Sequence, residues 1–179
     1  YPQGTHPLLT NDKKEMSASS NIVVLNQLAS HMETLNQSAL LTITDVQGNI
    51  IRANELFCSI SKYSLDEIMH NSHIIIRHPD TPSAVFEDIE RTILRGEIWK
   101  GELKNRAKDG SDYWVIANIA PRSGLDGKVM EHISIEYDIT KQKQAEEELR
   151  QAKQKIDNEL MENLAYAKHI HGALLGSNE

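Results

Sequence analysis

Residues 99–121 read WKGELKNRAKDGSDYWVIANIAP, and this stretch decides the fold. Two runs that contain aromatic and aliphatic residues flank residues 108–111, where Gly110 can adopt a positive φ angle. The pattern predicts two antiparallel strands joined by a turn. In the second strand apolar side chains stand on both alternating faces. We therefore expect one face to pack on helices and the other to line or close a space.

The rest of the middle zone alternates between strand and helix patterns. Asn54 is expected to cap one short helix, and Ser64 with Glu67 has the spacing of a capping box for another. The predicted order is strands at 39–45 and 50–53, two short helices, a helix at 82–95, and strands at 99–107, 112–121 and 128–138. This order indicates an α+β fold, a five-stranded antiparallel sheet with helices gathered on one face.

Composition and periodicity divide the chain into four segments. The first residues are rich in Pro, Gly, Asn and Ser and carry little that can be buried, which is typical of a linker. The next segment repeats apolar residues every three or four positions, as an amphipathic helix does. The predicted segments are a disordered linker at 1–20, a flanking helix at 21–37, a central domain at 38–139 and a coiled-coil helix at 140–175.

The C-terminal helix carries a narrow apolar seam with steps of three and four residues. Its core positions are Ala145, Leu149, Ala152, Ile156, Leu160, Asn163, Ala167, Ile170 and Leu174. One additional step of four is a stutter, which locally unwinds a coiled coil. Because a polar helix with so narrow a seam is poorly stable alone, we predict a homodimer formed through the flanking helices.

Charge and composition limit the class of protein. The formal net charge of -7 argues against a general nucleic-acid binder, which would present a basic face. No apolar run approaches the ~20 residues that cross a bilayer, and the first residues do not resemble a signal peptide. The single Cys58 excludes an intramolecular disulfide and fits a reducing compartment. These features predict a cytoplasmic protein without a membrane span.

The loop at 76–82, with the sequence IRHPDTP, combines Arg, His, Asp and two prolines just before the predicted helix at 82–95. Loops held on a rigid scaffold often carry ligand contacts. The loop is therefore a candidate part of a binding pocket. The alternative is a salt-bridged structural loop that caps the following helix.

The order of elements, with Asp45 and Gly48 near its opening and Asp-Ile-Thr at 138–140 closing it, resembles a PAS sensory domain over about residues 35–141. Within that superfamily, residues 76–82 and 99–118 are similar to the sensory domain of the bacterial aerotaxis receptor. The resemblance implies bound FAD and a redox- or oxygen-sensing role in signal transduction. The sequence shows no Gly-rich phosphate loop, nucleophile elbow or paired catalytic acids, so the chain is not expected to be an enzyme itself.

The C-terminal tail resembles a second family. Residues 163–175, with the sequence NLAYAKHIHGALL, are similar to the entry helix of sporulation-type serine/threonine phosphatases. The aerotaxis receptor instead joins its sensory domain to a membrane anchor and a chemotaxis rod, and this sequence contains neither. The resemblance implies that the module signals to a downstream output domain of a different kind.

If a flavin is bound, the aerotaxis-type pattern implies three contacts to its ring. Trp99 is expected to pack on the isoalloxazine, and an ordinary core position is the alternative. Asn105 and Asn118 are expected to meet the polar edge of the ring. We also hypothesise that a reoriented Asn118 amide passes the redox state through the sheet to the C-terminal helix.

The loop is implied to hold the other end of the cofactor. Arg77 and His78 are candidates for the pyrophosphate or adenine side, and Asp80 for the ribose or for fixing the loop. Their alternative role is structural, as stated for the loop above.

Two other functions stay open. One is a cofactor-free PAS module for dimerisation or protein interaction. The other is a haem b gas sensor with His70 or His73 as the ligand. A photoreactive role for Cys58 is not expected, because the motif that surrounds such cysteines is missing. No metal site is predicted, since His169 and His171 do not have zinc-site spacing.

Overall fold

A computed structural model describes residues 8–176 of the 179-residue chain, with side chains for 22–175. The helices are α1 (Leu8–Ser38), α2 (Glu55–Ser61), α3 (Leu65–Ile68), α4 (Ser83–Leu94) and α5 (Thr140–Gly176), with a 3₁₀ turn at His73–Ile76. The strands are β1 (Leu40–Asp45), β2 (Ile50–Ala53), β3 (Trp99–Arg106), β4 (Asp112–Ser123) and β5 (Val129–Asp138). The predicted order of strands and helices in the middle zone is confirmed.

The five strands form one sheet in the order β2-β1-β5-β4-β3. β1 pairs antiparallel with both β2 and β5, and β3 pairs antiparallel with β4. The first and last strands of the domain therefore lie side by side in its centre. The predicted five-stranded antiparallel sheet and α+β class are confirmed.

The core lies between one face of the sheet and the short helices. We call this sheet face the inner face, and it carries alternate residues of each strand. α2 packs on β1, while α4 packs on β3 and β4. The buried apolar side chains are Leu40, Ile50, Phe57, Ile68, Ile76, Trp99, Leu103, Ala107, Tyr113, Val115 and Ala117.

Side-chain caps fix the short helices in place. The carboxamide oxygen of Asn54 accepts from the Phe57 N–H at 3.0 Å and from the Leu41 N–H at 3.0 Å. Its amide nitrogen donates to the Ala39 carbonyl at 2.8 Å, so one cap joins α2 to the start of β1. The capping box before α3 is also confirmed, because the Ser64 N–H donates to Glu67 at 2.9 Å.

The N-terminal helix is longer than the sequence predicts. α1 has 31 residues and begins at Leu8, whereas the flanking helix was expected at 21–37 and a disordered linker at 1–20. No Gly or Pro occurs between Leu8 and Ser38 to break it, and the Ser-rich stretch is tolerated in a helix. The first seven residues of the predicted linker lie outside the described residues.

The chain divides into two compact units, of which one ends at Tyr137 and the other begins at Asp138. The second unit contains α5, a continuous helix of 37 residues over the predicted coiled-coil segment. Most of the large apolar side chains of the predicted seam are exposed, including Leu149, Ile156 and Leu160. In the part of the chain that the structure describes, no helix has the length and apolar character needed to cross a membrane.

Candidate functional site

A cavity of about 510 Å³ opens between the inner face of the sheet and α4. This volume is in the range of sites that hold small molecules and cofactors. The 3₁₀ turn and the β1–β2 turn, which are hydrogen-bonded to each other, also contribute to its lining. Its lining residues are Thr42, Thr44, Val46, Gln47, Gly48, Ser72, His73, Ile74, Arg77, Phe86, Ile89, Glu90, Ile93, Leu94, Leu103, Asn105, Ile119, Val129, His132 and Ser134.

The α4 wall of the cavity is mostly apolar, and the sheet wall has an apolar part on β3 and β4. α4 contributes Phe86, Ile89 and Ile93, which recur at helical spacing and therefore share one face. Leu103 of β3 and Ile119 of β4 form the apolar part of the opposite, sheet wall. Two facing apolar surfaces suit a flat hydrophobic ring, while the polar residues at the edges can set its orientation.

Arg77 stands at one edge of this cavity. Its backbone forms an isolated antiparallel bridge with Asn105, and its guanidinium carbon lies 3.9 Å from the centre of the Phe86 ring. Burial lowers the pKa of the Arg77 guanidinium, whereas the nearby Glu90 carboxylate acts in the opposite direction. Arg77 is thus a cation held against the apolar wall, where an anionic or carbonyl group would stabilise it.

Asn105 is the second polar group at this edge. Its side chain is buried, and its Nδ2 has no hydrogen-bond partner among the described residues. A buried amide without a partner costs on the order of 1–3 kcal/mol, so such groups are usually satisfied by something that binds. The Asn105 amide is therefore the clearest sign that the cavity is built for a ligand with an acceptor oxygen.

The 3₁₀ turn places His73 in the cavity wall as well. Its Nε2 lies 3.3 Å from the Thr42 hydroxyl, and its ring centre is 6.1 Å from that of Phe57. Burial, reinforced by the positive charge of Arg77, lowers the pKa of His73 to about 4. His73 is therefore neutral at neutral pH. The alternative haem ligand His70 is exposed and lies outside the cavity lining.

The part of the sheet wall that β1 and β5 form carries polar residues that were not expected from the sequence. Thr42 of β1 is paired with Ser134 of β5, and Thr44 is paired with His132. All four line the cavity, because alternate residues of two paired strands share one face. The period-two alternation was visible in the sequence, but the pairing of β1 with β5 joins segments about 90 residues apart. Only that pairing brings the four together.

His78 belongs to a different environment from its neighbour Arg77. Its ring is buried outside the cavity lining, where Nδ1 accepts from the Asp80 N–H at 3.1 Å. Its Nε2 lies 3.1 Å from Asp112 Oδ1 and 2.8 Å from a guanidinium nitrogen of Arg106. The Asp80 side chain is 84% exposed. For His78 and Asp80 the geometry therefore fits the structural role and not contact with a ligand in this cavity.

Trp99 closes one side of the core and does not line the cavity. Its indole Nε1 donates to Asp88 of α4 at 2.9 Å, which ties the helix to β3. The ring lies over Gly101, where an added Cβ would come within 2.5 Å of the ring carbon Cη2. Trp99 is 8% exposed and occupies the position of an ordinary core residue.

Asn118 lies on the outer face of the sheet. It is paired with Lys100, while its neighbours Ala117 and Ile119 are paired with Gly101 and Trp99 on the inner face. Because successive strand residues point to opposite faces, Asn118 cannot share the cavity with Ile119. The prediction that Asn118 contacts a ring in this cavity is therefore wrong. Of the six residues expected at the site, the structure brings Arg77 and Asn105 together in the cavity.

Comparison with known proteins agrees with this architecture. Residues 50–136 match the family model described as PAS fold. The aerotaxis receptor of Escherichia coli K12 is 41% identical over 100 residues, which are 56% of this chain and 20% of that receptor. The nitrogen fixation regulatory protein of Klebsiella pneumoniae is 29% identical over 113 residues, covering 63% of this chain and 23% of that protein. The chain thus spans about a fifth of the length of these relatives.

Solved structures show the same fold at low sequence identity. A PAS domain from Colwellia psychrerythraea superposes with a TM-score of 0.59 at 23% identity, covering 66% of this chain and 98% of that one. A light-oxygen-voltage domain studied with a flavin analogue superposes with a TM-score of 0.58 at 22% identity, covering 72% of this chain and 96% of that one. At these identities the likeness shows the fold alone.

Proposed function

We propose that the central part of this chain, which has the PAS fold, acts as a sensor module in signal transduction and that its cavity binds a flavin, with FAD as the favoured form. The observation that carries this proposal is the buried Asn105 Nδ2, which has no hydrogen-bond partner among the described residues and lies at the edge of a cavity with apolar side chains from α4 and from β3 and β4. The resemblance to aerotaxis-receptor sensory domains supports the same ligand.

The residues present fit a flavin in three respects. The ring needs an apolar slot, which α4 and β3 provide through Phe86, Ile89 and Leu103. Its carbonyl oxygens need donors, and the Asn105 amide is one. Its phosphate or carbonyl groups need a cation, and Arg77 lies in the wall to supply it. A bound flavin would supply reversible electron uptake, and the redox or oxygen sensing proposed here depends on that property.

The output side of the proposal rests on α5. The exposed apolar seam described above is typical of a helix that pairs with a copy of itself. We propose that the module is a homodimer through its flanking helices and signals to a downstream output domain. The phosphatase-like tail at 163–175 remains the prediction for the kind of domain that follows. A cytoplasmic location is part of the same proposal.

The visible absorption spectrum of the purified full chain tests the ligand directly. We expect the two broad bands of a flavin in the near-ultraviolet and blue, either as purified or after addition of FAD. Asn105→Ala should weaken FAD binding about tenfold, because about 1.4 kcal/mol is lost with one hydrogen bond to a buried group. Asn118→Ala, on the outer face of the same sheet, is the matched control and should bind as the parent does.

Each other outcome points to a different function. A sharp Soret band would show that the ligand is haem and not a flavin. His73 would then be the first candidate ligand to mutate, because it lines the cavity. Absence of any visible band, together with no binding of FAD or FMN, would favour the cofactor-free interaction module. Equal FAD affinity in the Asn105→Ala variant and its parent would show that the flavin does not use this cavity edge.

A further inference from the structure

Glu136 is a buried carboxyl group for which the proposed function has no role. It lies near the end of β5 on the inner face of the sheet, and the residue is 1% exposed. Oε1 accepts a hydrogen bond from the Ser134 hydroxyl at 2.8 Å. Oε2 has no hydrogen-bond partner in the part of the chain that the structure describes. A buried carboxylate in this situation is unstable relative to the neutral acid.

The elements around Glu136 supply no charge that would stabilise the carboxylate. Across the sheet it is paired with Leu40 of β1. The titratable residues that the neighbouring elements carry on the core side are His132 on β5, Tyr113 on β4 and Cys58 on α2, and none of them contributes to the pKa of Glu136. Within the described residues, only burial and the Ser134 hydroxyl act on the pKa of Glu136. Burial has the larger effect, and the pKa is raised to about 7.

We propose that Glu136 is a proton-binding site that gives this sensor module a second input, coupled to the cavity through the Ser134 hydroxyl. Ser134 lines the cavity, and Glu136 is two residues further along the same face of β5 and accepts the Ser134 hydroxyl hydrogen. The two residues therefore connect the ligand space with a group that gains and loses a proton within the physiological range.

The coupling follows from the single hydrogen of the Ser134 hydroxyl. When Glu136 is a carboxylate it can only accept, so the hydroxyl hydrogen is directed at Oε1 and away from the cavity. When Glu136 is protonated, its own O–H can donate to the Ser134 oxygen. The hydroxyl hydrogen is then free to donate into the cavity. The wall thus offers a donor in the protonated state and only an acceptor in the ionised state.

The reversal of the Ser134–Glu136 hydrogen bond predicts the sign of the coupling between ligand binding and protonation of Glu136. A ligand that places a carbonyl or anionic oxygen at Ser134 binds the protonated form more tightly, and by reciprocity its binding raises the pKa of Glu136. One additional hydrogen bond corresponds to an affinity change of about five- to tenfold. The coupling of flavin binding to protonation rests on the proposed function, whereas the proton site at Glu136 does not.

The first experiment uses the ligand-free full chain with ¹³C-labelled glutamate side chains. We expect one carboxyl resonance to titrate at about pH 7, far above the usual range for glutamate near 4.3. That resonance should be missing from Glu136→Gln and present in Glu131→Gln, a control on the same strand. Titration of every glutamate below about pH 5.5 would overturn the proposal.

Ser134→Ala keeps the test valid if Glu136→Gln does not fold. Loss of the Ser134 hydroxyl, which lowers the pKa of Glu136, should move the same resonance to a higher midpoint. A near-neutral carboxyl that does not respond to Ser134→Ala would refute the coupling through this residue.

The second experiment measures FAD affinity by fluorescence quenching at about pH 6 and about pH 8, on either side of the expected midpoint. The parent should bind about five- to tenfold more tightly at the lower pH, and Ser134→Ala should bind equally at both. Equal affinity in the parent would contradict the linkage. If FAD does not bind at all, the flavin proposal fails, while the titration of the ligand-free protein still decides the proton site.

Discussion

Two regions of the molecule are built from neighbouring residues. We call Arg77 and Asn105 the cavity wall, and we call His78, Arg106 and Asp112 the loop anchor. Arg77 and His78 are consecutive, as are Asn105 and Arg106, and the bridge between Arg77 and Asn105 joins the two segments. Along an extended backbone the members of each consecutive pair point in different directions. One residue of each pair faces the ligand space, and the next belongs to the framework.

The two regions differ in how well their polar groups are satisfied. In the loop anchor, Asp112 bonds to Lys104 and Arg106 and lies beside His78, and the Lys104 ammonium makes the largest contribution in lowering the pKa of Asp112 to about 2. In the cavity wall, the Asn105 amide lacks a partner among the described residues. A complete network stabilises a fold, whereas an incomplete one is typical of a binding site.

The largest effect is expected from His78→Ala in the loop anchor. The substitution leaves a buried space and removes the acceptor of the Asp80 N–H, which should lower the free energy of unfolding by about 2 to 4 kcal/mol. Urea denaturation followed by circular dichroism measures the change. Asp80→Ala, whose side chain is mostly exposed, should differ from the parent by less than about 0.5 kcal/mol. A stable His78→Ala protein would remove the distinction between the two regions.

The burial of His73 in the cavity lining predicts that the free energy of unfolding depends on pH. The pKa of His73 is about 4 in the folded chain and about 6.5 when unfolded, so the unfolded state binds more protons between these values. Stability is therefore lost as the pH falls from about 6.5 towards 4. Relative to His73→Phe, the parent should lose about 2 kcal/mol between pH 7 and pH 4.5, after allowance for partial solvent contact.

Glu136 changes the free energy of unfolding over the same pH range, with the opposite sign. Its folded pKa of about 7 lies above its unfolded value, so its contribution is present in acid and is lost as the pH rises to about 7. The two contributions partly cancel in the parent protein, and only differences between parent and variant are informative. His70→Asn, at an exposed position with a φ of 63° that Asn accepts, removes a histidine outside the cavity lining and serves as the comparison variant. Parallel profiles for the parent and His73→Phe would contradict the burial of His73.

A smaller effect of opposite sign is expected at Asn105. Asn105→Leu replaces a buried amide, whose Nδ2 has no hydrogen-bond partner among the described residues, by an apolar group of similar shape, so the ligand-free protein should gain about 1 kcal/mol of unfolding free energy. Thermal unfolding of the ligand-free chain measures this gain. A loss of stability as large as that of His78→Ala would mean that Asn105 belongs to the framework and not to the wall.

The smallest effect is expected at Asn118. Because this residue lies on the outer face, Asn118→Ala should change neither stability nor flavin affinity by more than about 0.5 kcal/mol. Calorimetric titration with FAD and urea denaturation provide the two measurements. A marked loss of flavin affinity in this variant would restore the coupling role that the sequence suggested for Asn118.

Local patterns were sufficient for the secondary structure but not for the site. Caps, turns and alternation predicted the strands and helices of the middle zone, because each depends on residues a few positions apart. Whether His78 faces a ligand or the framework depends on a bridge between residues 77 and 105. Likewise, Ser134 and Glu136 look like ordinary residues of a half-exposed strand until β5 pairs with β1 in the centre of the sheet.

The contact between Gly101 and the Trp99 ring has a consequence for how this sequence can evolve. Any side chain at position 101 would collide with the indole, so a larger residue there is compatible only with a smaller one at position 99. The two positions are therefore expected to covary among homologues. Since loss of the indole also leaves Asp88 without its partner on β3, position 88 should join them as a third member of the same group.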